Sequence, residues 1–330
     1  MPDGPGFQTR IGIGLEGTWK TAVAPTELIS FKSEGMKKEI ARIQNAILDG
    51  KASRLADDAG INNYGGPIPC ELTYQDLDMM FALFFGANAA VSDDGIYYTR
   101  RFSYVDKVAK SGTIVIDKIV TGWNFLGSKI SKFELSSSAS DGTVDVTFEV
   151  ISGILQRATA YQATVQGLSL SGAPKVTFDD LTLRIGDQVD ALGSGDDIKP
   201  TSISISGDRK LTVDHVNDRD PLEATEDDRP EFTFKFGLDR YKDDTFPDFG
   251  DADTKLQTTI DFVSGPYQYL FEIPELKITS PPPINVSGAG KIPVEVEAMA
   301  YRNSSTVIMT DITDAIRTTT INKRSALPLG

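Results

Sequence analysis

Apolar and polar residues alternate along much of this chain. The alternation is clearest over residues 129–135, 143–150 and 231–236, and a period of two places successive side chains on opposite faces of a half-buried strand. Turn signals such as Asp141-Gly142 and Ser206-Gly207 separate the apolar segments, as antiparallel meanders require. Other segments with strand character are residues 28–32, 68–74, 113–120, 176–185, 202–206, 269–278 and 292–298. The pattern predicts a mainly β chain of sandwich or barrel class.

One segment has helical periodicity instead. A helix over about 74–85 is predicted because apolar residues follow the i, i+3, i+4, i+7, i+8 spacing of a single helical face. These residues are Leu77, Met80, Phe81, Phe84 and Phe85. Thr73 is expected to cap the start of the helix, and Gly86 to adopt the left-handed conformation after its last turn. Such a stripe is either covered by a sheet or forms a hydrophobic binding groove.

The chain is long enough for two hydrophobic cores, because 330 residues is about twice the common domain size. Each half contains a strand, a long inter-strand loop, a second strand and a later pair of strands in the same order. We therefore predict two tandem β-sandwich or barrel domains, over residues 1–165 and 166–330. Residues 239–254 are too polar and too proline-broken to repeat the helix, so the second domain is expected to lack it.

The charge of the chain restricts its partners. The formal net charge is -14 and the pI is about 4.6, whereas tight nucleic-acid binding relies on Lys and Arg to displace counterions from phosphates. Nucleic acid is therefore expected to be repelled. No segment approaches the roughly 20 consecutive apolar residues of a membrane-spanning helix, so no membrane partner is expected.

Few residues suit catalysis or metal binding. The chain has one histidine, His215, and one cysteine, Cys70, which cannot close a zinc site without several carboxylates. Residues 12–17 match a dinucleotide-binding fingerprint and residues 248–250 a kinase triplet, but neither has the surrounding strands and helices that those sites need. We predict no enzyme activity, no catalytic residue, no cofactor and no metal. A glycosidase that uses a pair of carboxylates stays open as an alternative, because the chain has 47 acidic residues.

Several segments together resemble the phage tail tube (major tail) proteins, in the long form with two tube domains in one chain. Residues 14–25, which lead into a strand, resemble the opening of the family. The later segments that carry the resemblance are residues 49–54, residues 65–72 with the helix ending at Gly86, residues 122–135 with 142–148, and residues 203–209 with 229–234. The resemblance covers nearly the whole chain and rests on pattern and spacing.

This resemblance implies a structural virion protein, the major tail tube subunit of a siphovirus-type tail. Its copies are expected to stack as rings into a hollow conduit for genome delivery. The implied partners are other copies of the chain, the tape measure protein and DNA in the lumen without sequence-specific binding, and tail terminator and distal tail proteins at the ends. The implied location is the virion tail, after assembly in the host cytoplasm.

Two other classes of protein stay open. The first is another ring-forming tail or secretion component, such as a tail terminator or a baseplate ring. The second is a carbohydrate-binding β-sandwich, for which an exposed aromatic cluster on loops is the expected mark. The candidate cluster consists of Tyr97, Tyr98, Phe102 and Tyr104.

The predicted duplication and the charges of two long loops suggest how copies meet. Two tube domains per chain give six similar positions from three subunits, so a trimeric ring is favoured over a hexamer. The loop at residues 36–54 is basic and has apolar residues at helical spacing, whereas the loop at residues 207–230 is acidic. The two loops therefore either meet across a boundary between rings or are both solvated. The predicted inter-ring residues are Lys37, Lys38, Ile40, Arg42, Ile43, Ile47, Lys51, Arg54, Asp214, Asp218, Asp220, Glu226, Asp227 and Asp228.

Overall fold

The computed structural model describes residues 6–44, 56–107, 110–284, 290–326 and 328–329. Strands make up 49% of the structure and helices 10%, which confirms the predicted mainly β class. The strands form one large antiparallel sheet together with a separate short pair. No closed barrel is formed by the described residues.

The strands are numbered in chain order. Those of the first half are β1 (Arg10–Glu16), β2 (Glu27–Ile29), β3 (Lys37–Ile43), β4 (Asp58–Glu71), β5 (Gly86–Asp93), β6 (Tyr98–Tyr104), β7 (Ser111–Asp117), β8 (Gly122–Ser138), β9 (Val144–Ser152) and β10 (Ile154–Arg157). Those of the second half are β11 (Leu181–Asp187), β12 (Asp197–Ile198), β13 (Ser202–Asp208), β14 (Leu211–Thr212), β15 (Thr225–Glu226), β16 (Glu231–Leu238), β17 (Leu256–Ser264), β18 (Tyr267–Ile278), β19 (Val294–Ala300) and β20 (Arg317–Asn322). The helices are α1 (Asp78–Phe85), α2 (Gln162–Gly167) and α3 (Thr245–Asp251).

The two halves of the chain repeat one order of strand pairing. Hydrogen-bonded neighbours in the first half run β3–β4–β9–β8–β7–β1. Those in the second half run β13–β16–β19–β18–β17–β11, also antiparallel throughout. In addition, β10 lies against β8 as β20 lies against β18. The same topology in both halves agrees with a duplicated unit, while the boundary between residues 165 and 166 stays a prediction.

The halves are joined into a single sheet. The later part of β8 pairs with β13 over seven residues, from Lys132 opposite Asp208 to Ser138 opposite Ser202. The C-terminal strand β20 returns to the first half and pairs with β6, which forms a hairpin with β5. The hairpin has no counterpart between α3 and β17. The backbone hydrogen bonds of these two seams are therefore shared between the halves.

Helix α1 confirms the predicted helix, although it begins at Asp78 rather than near residue 74. Thr73 does not cap it, because its hydroxyl oxygen instead accepts a bond from the N–H of Asp76 at 3.1 Å. Gly86 adopts φ 86°, as predicted for the residue after the last turn. All eight residues of α1 are buried, so no hydrophobic binding groove lies along this helix.

The aromatic side chains of α1 hold both halves together. The ring of Phe81 lies 5.1 Å from that of Phe148, and the ring of Phe84 lies 4.8 Å from that of Phe133. Phe84 also meets Phe232 of the second half at 6.1 Å. Edge-to-face pairs at these distances add to the hydrophobic gain of burial. The core of the first half therefore extends into the second.

The expectation that the second half lacks a helix was wrong. Helix α3 occupies the position that corresponds to α1, and its Phe246 packs 5.1 Å from Phe236 on β16. Pro247 lies in the first turn, where backbone N–H groups have no partner within the helix. The missing N–H of proline therefore costs no helical hydrogen bond. A proline there therefore does not break the helix.

Candidate assembly surfaces

One face of the sheet is polar on strands of both halves. Along β9, β8, β13, β16 and β19 every second side chain points to this face, and the register keeps these side chains in rows across the strands. The alternating sequence produces it, because the intervening positions hold buried apolar residues. This polar sheet face comprises Lys132, Glu134, Ser136, Ser138, Asp145, Thr147, Glu149, Ser202, Ser204, Ser206, Glu231, Thr233, Lys235, Glu295 and Glu297.

The polar sheet face is acidic, since its carboxylates outnumber its two lysines. Lys132 lies 3.4 Å from Glu134, and Lys235 lies 3.1 Å from Glu297. Both ion pairs are solvent-exposed, and such pairs contribute about 0–1 kcal/mol each. Serine and threonine hydroxyls occupy the remaining positions. A surface with this excess of negative charge repels phosphates.

Part of the polar sheet face lines an open groove of about 530 Å³. The lining includes Ser136, Ser204, Lys235 and Glu297. Ser280, Pro282 and Pro283, which follow β18, also line the groove. The opposite face of the sheet covers the aromatic core around α1. The sheet thus separates a hydrophobic core from an acidic surface.

The hairpin of β3 and β4 projects beyond the neighbouring strands. Strand β9 pairs with β4 only as far as Tyr64, whereas β3 continues to pair with β4 until Ile43 lies opposite Asp58. All seven residues of β3 are exposed, and Ile43 is 59% exposed. The expectation of a loop with helical spacing at Ile40 and Ile43 was wrong, because these residues lie on a strand. An exposed strand edge with apolar side chains is a site for contact with another chain.

The acidic loop of the second half folds back onto this hairpin within one chain. The N–H of Asn62 donates to the carbonyl of Arg219 at 2.7 Å, and the Asp220 carboxylate accepts from Asn62 and from the Tyr64 hydroxyl. Partial burial opposes ionisation of Asp220, but these bonds and the charges of Lys20 and Lys38 hold its pKa below the ordinary value. The loop is therefore fixed at the base of the projecting hairpin.

The predicted inter-ring residues fall into three groups. Ile47, Lys51 and Arg54 lie outside the described residues. Asp220 and Glu226 have partners within their own chain, Glu226 with Arg209 at 2.9 Å. The exposed group consists of Lys37, Lys38, Ile40, Arg42 and Ile43 on β3, and Asp214, Asp218, Asp227 and Asp228 on the acidic loop.

Sequence patterns did not reveal the role of Arg209. Its side chain is fully buried and stacks over the ring of Tyr104 at 4.1 Å. Its guanidinium donates to the carbonyls of Phe84 and Val105 and to Glu226. Because the last carbonyls of a helix lack helical partners, Arg209 of the second half satisfies the C-terminal end of α1. The only sign of this role in the sequence was an arginine directly after the amphipathic segment that forms β13.

A second buried cluster lies at the start of α1. Asp78 accepts hydrogen bonds from the Tyr269 hydroxyl and from the side-chain amide of Asn322, each at 2.7 Å. Burial raises the pKa of Asp78 to about 6, although both bonds and the charge of Arg324 lower it. Its partners come from the second half, so no local pattern revealed them.

The two sequence motifs have structural explanations. Residues 12–17 belong mainly to β1, where a side chain on Gly14 would meet the carbonyl oxygen of Ala24 at 2.5 Å. Glu16 is buried and accepts bonds from the hydroxyls of Ser111 and Thr113. Residues 248–250 lie on α3. Both segments therefore support the sheet and its core.

The aromatic cluster proposed for carbohydrate binding is not an exposed loop. Phe102 and Tyr104 lie on β6 and are buried in the core, and Tyr98 begins the same strand. The ring of Tyr97 packs against that of Tyr267 at 5.7 Å. Within the described residues, no group of three metal-ligating side chains gathers, and none of the helices has the length and apolarity to span a membrane.

The comparison with known families agrees with this architecture. A sequence profile described as phage tail tube protein matches residues 6–300. No curated protein sequence matches the chain. The matched segment includes both strand ladders, the polar sheet face and the described part of the projecting hairpin, and the predicted resemblance is confirmed. The chain belongs to the phage tail tube protein family, with a structural role in the tube of the virion tail.

Proposed function

We propose that this protein is the major tail tube subunit of a siphovirus-type tail and that its copies polymerise into stacked rings around a hollow lumen. The polar sheet face carries the proposal, because it is acidic, continues across both halves of the chain and includes an open groove. When such faces line a lumen, they repel DNA phosphates over a Debye length of about 8–10 Å. DNA and the tape measure protein then occupy the lumen without sequence-specific binding.

The repeated strand order supports three chains per ring rather than six. Each chain offers two similar ladders side by side, so three chains supply six similar positions around an axis. Contacts of one surface with a different surface of the next copy close into a ring when the rotation permits it. Native mass spectrometry of isolated rings tests this stoichiometry, and six copies per ring would contradict it.

The projecting hairpin is proposed to contact the next ring. Exposed cations on β3 are Lys37, Lys38 and Arg42, and exposed acids of the neighbouring loop include Asp214 and Asp218. Exposed ion pairs are weak and screened by salt, so many copies per ring must act together. Ile40 and Ile43 add a contribution from burial that salt does not weaken. The undescribed Ile47, Lys51 and Arg54 belong to the same proposed surface.

The remaining proposed partners bind at the two ends of the tube. Tail terminator and distal tail proteins are proposed to bind the end rings, and assembly is proposed to take place in the host cytoplasm before the tail joins the virion. The role is structural rather than enzymatic. The segments that resembled cofactor or catalytic motifs support this, because residues 12–16 form part of strand β1 and residues 248–250 form part of helix α3.

A lumen test combines imaging with infection. The triple variant Glu134→Lys, Glu149→Lys, Glu295→Lys reverses charge on the polar sheet face, and the control Asp93→Lys, Asp190→Lys, Asp251→Lys reverses as many exposed acids elsewhere. Electron microscopy of purified wild-type protein is expected to show hollow tubes. Phages carrying the lumen variant are expected to build tails yet deliver DNA poorly. Equal delivery by both variants would contradict the placement of this face in the lumen.

A second test concerns stacking. The variant Lys37→Glu, Lys38→Glu, Arg42→Glu is expected to give shorter tubes, and the length is expected to respond differently to salt, because the charge complementarity is lost. Tube length is measured by electron microscopy across ionic strength. Tubes of wild-type length with an unchanged salt response would remove the hairpin from the ring boundary.

A further inference from the structure

A pocket lies at the end of the second half where strand β16 stops. It has a volume of about 530 Å³ and opens between the end of β16, the segment around β12 and the first turn of α3. Its apolar lining includes Ile198, Leu238, Phe246 and Val294. This β16 pocket is therefore an apolar recess at the surface of the chain.

Two cations beside the β16 pocket lack a counterion. Lys199 and Lys242 both line it, and neither forms an ion pair within the described residues. The acidic groups of the lining already have partners within the chain. These pairs are Asp197 with Arg184 at 2.8 Å, Asp239 with Lys291 at 2.6 Å, and Asp243 with the N–H of Thr245 at 3.1 Å. The margin of the pocket can therefore bind further negative charge.

The corresponding corner of the first half is filled by the chain itself. There the N–H of Val176 donates to the carbonyl of Leu72 at 2.8 Å, and the carbonyl of Val176 accepts from the N–H of Val144 at 3.2 Å. Val176 is fully buried between the end of β4 and the start of β9. The described residues of the second half include no such segment, so the end of β16 beside Val294 stays open.

The acidic loop presents an apolar side chain that matches this pocket. Val216 is 61% exposed and lies in sequence between the exposed carboxylates of Asp214 and Asp218. The loop is held in place, because the ring of His215 lies 3.0 Å from the carbonyl oxygen of Asn62. A side chain that is already fixed loses little entropy when it binds.

The acidic loop and the β16 pocket lie at opposite ends of the chain. The loop leads into β16 at Glu231, whereas the pocket begins at Leu238, the last residue of the strand. A strand of this length spans about 25 Å. A contact between two different surfaces at opposite ends of a chain continues from copy to copy without closing, which builds a stack. A second copy is therefore the occupant that fits both surfaces.

We propose that Val216 of one ring inserts into the β16 pocket of the next ring, where Asp214 and Asp218 approach Lys199 and Lys242. This inference rests on the proposed stacking of rings and names the surface that receives the acidic loop. Val216 then fills in the second half the kind of corner that Val176 fills in the first. Burial of the valine resists salt, whereas the exposed charge pairs are screened by it.

Cross-linking tests the contact. The double variant Val216→Cys, Lys199→Cys is assembled and treated with a short bis-maleimide linker. The two positions are too far apart to be linked within one chain, so links between rings are expected to give covalent multimers on denaturing gels. Each single variant is a control and is expected to stay monomeric. The native Cys70 is buried and does not react.

Imaging of the same samples separates this contact from the proposed function. Tubes of the double variant that show no more cross-linking than the single variants would overturn the contact and leave the tube subunit intact. Links formed by Val216→Cys alone would place loop against loop and would overturn it as well. Wild-type protein that forms neither rings nor tubes would contradict both proposals.

A charge exchange provides a second arm. The variant Lys199→Glu, Lys242→Glu is expected to raise the concentration needed for assembly roughly tenfold, while the monomer melts as the wild type does. Adding Asp214→Lys, Asp218→Lys to the same chain restores opposite charges, so assembly is expected to recover most of the loss.

The matched control reverses two exposed lysines elsewhere. Lys107→Glu, Lys110→Glu changes the loop between β6 and β7 by the same charge and is expected to assemble as the wild type does. Recovery by the combined variant is the result that a general effect of net charge does not produce. A combined variant that assembles no better than the first pair of substitutions, or a control with an equal loss, would overturn the inference.

Discussion

The buried carboxyl of Asp78 predicts a specific dependence of stability on pH. Burial raises its pKa from 3.8 to about 6 in the folded chain. Between these values the folded state binds more protons than the unfolded state, so the free energy of unfolding falls as pH rises. The shift of about 2 units corresponds to about 3 kcal/mol, since one unit is worth about 1.4 kcal/mol. About 2 kcal/mol of this loss is expected between about pH 4 and pH 7.

Other charged groups titrate in the same range, so the assay compares variants. Asp78→Asn cannot titrate, and it leaves one acceptor oxygen where Tyr269 and Asn322 now donate to two, which lowers stability by an amount independent of pH. The difference in unfolding free energy, wild type minus Asp78→Asn, is measured by urea titration at several pH values. It is expected to shrink by about 2 kcal/mol from about pH 4 to about pH 7.

The surroundings of Asp78 define what would refute this reasoning. The ionisable groups acting on the carboxyl include Tyr269, Arg324 and Glu27. A difference that grows with pH would mean that Arg324 and the two hydrogen bonds outweigh burial, and a constant difference would mean that the carboxyl is solvated. Glu134→Gln removes an exposed acid and controls for the loss of one charge.

Three further predictions concern the core. Arg209→Met is expected to lower the unfolding free energy by about 3–5 kcal/mol in urea titrations, because it removes the donors to the buried carbonyls of Phe84 and Val105 and the ion pair with Glu226; a loss below about 1 kcal/mol would contradict this. Gly207→Ala is expected to lower it by about 1–3 kcal/mol, because the new Cβ would lie 2.6 Å from Phe133, while Gly17→Ala, which has open space, is expected to be neutral. Burial raises the pKa of the Cys70 thiol, so maleimide is expected to label it only after unfolding, and rapid labelling of native protein would show an open core.

Amphipathic strands were predictable from sequence because one face of each packs on the core. Strands β9, β13 and β16 alternate strictly, and the structure places their apolar positions inside. Strand β3 was not predicted, because both of its faces are exposed. Neither face packs on the core, so its sequence does not need to alternate between apolar and polar residues. Strand β1 was interpreted as a glycine motif because it needs glycines for close packing. The side chains of Pro25 and Val165 lie close to Gly12, and the backbone of Ala24 lies close to Gly14.

The contacts between the halves were not predictable. The register of β8 against β13 joins residues that lie far apart in sequence, and many registers satisfy the same alternation. That register places Arg209, which directly follows β13, whereas the partners of Asp78 come from β18 and β20. A charged residue inside an apolar segment indicates only that a partner exists. The polar sheet face is an intermediate case, because alternation predicts its residues but not that strands of both halves align them on one continuous surface.

The contacts within one chain differ in chemistry from the surface that is proposed to join rings. Seven backbone pairs, the buried guanidinium of Arg209 and the cluster around Asp78 join the halves of one chain. The projecting hairpin, by contrast, carries exposed charges on β3. Burying Arg209 and Asp78 is favourable only because folding places their partners permanently beside them, whereas a reversible contact would expose uncompensated groups each time it opened. Exposed lysines on a projecting strand are therefore the chemistry expected where copies must associate from solution and correct misplaced contacts.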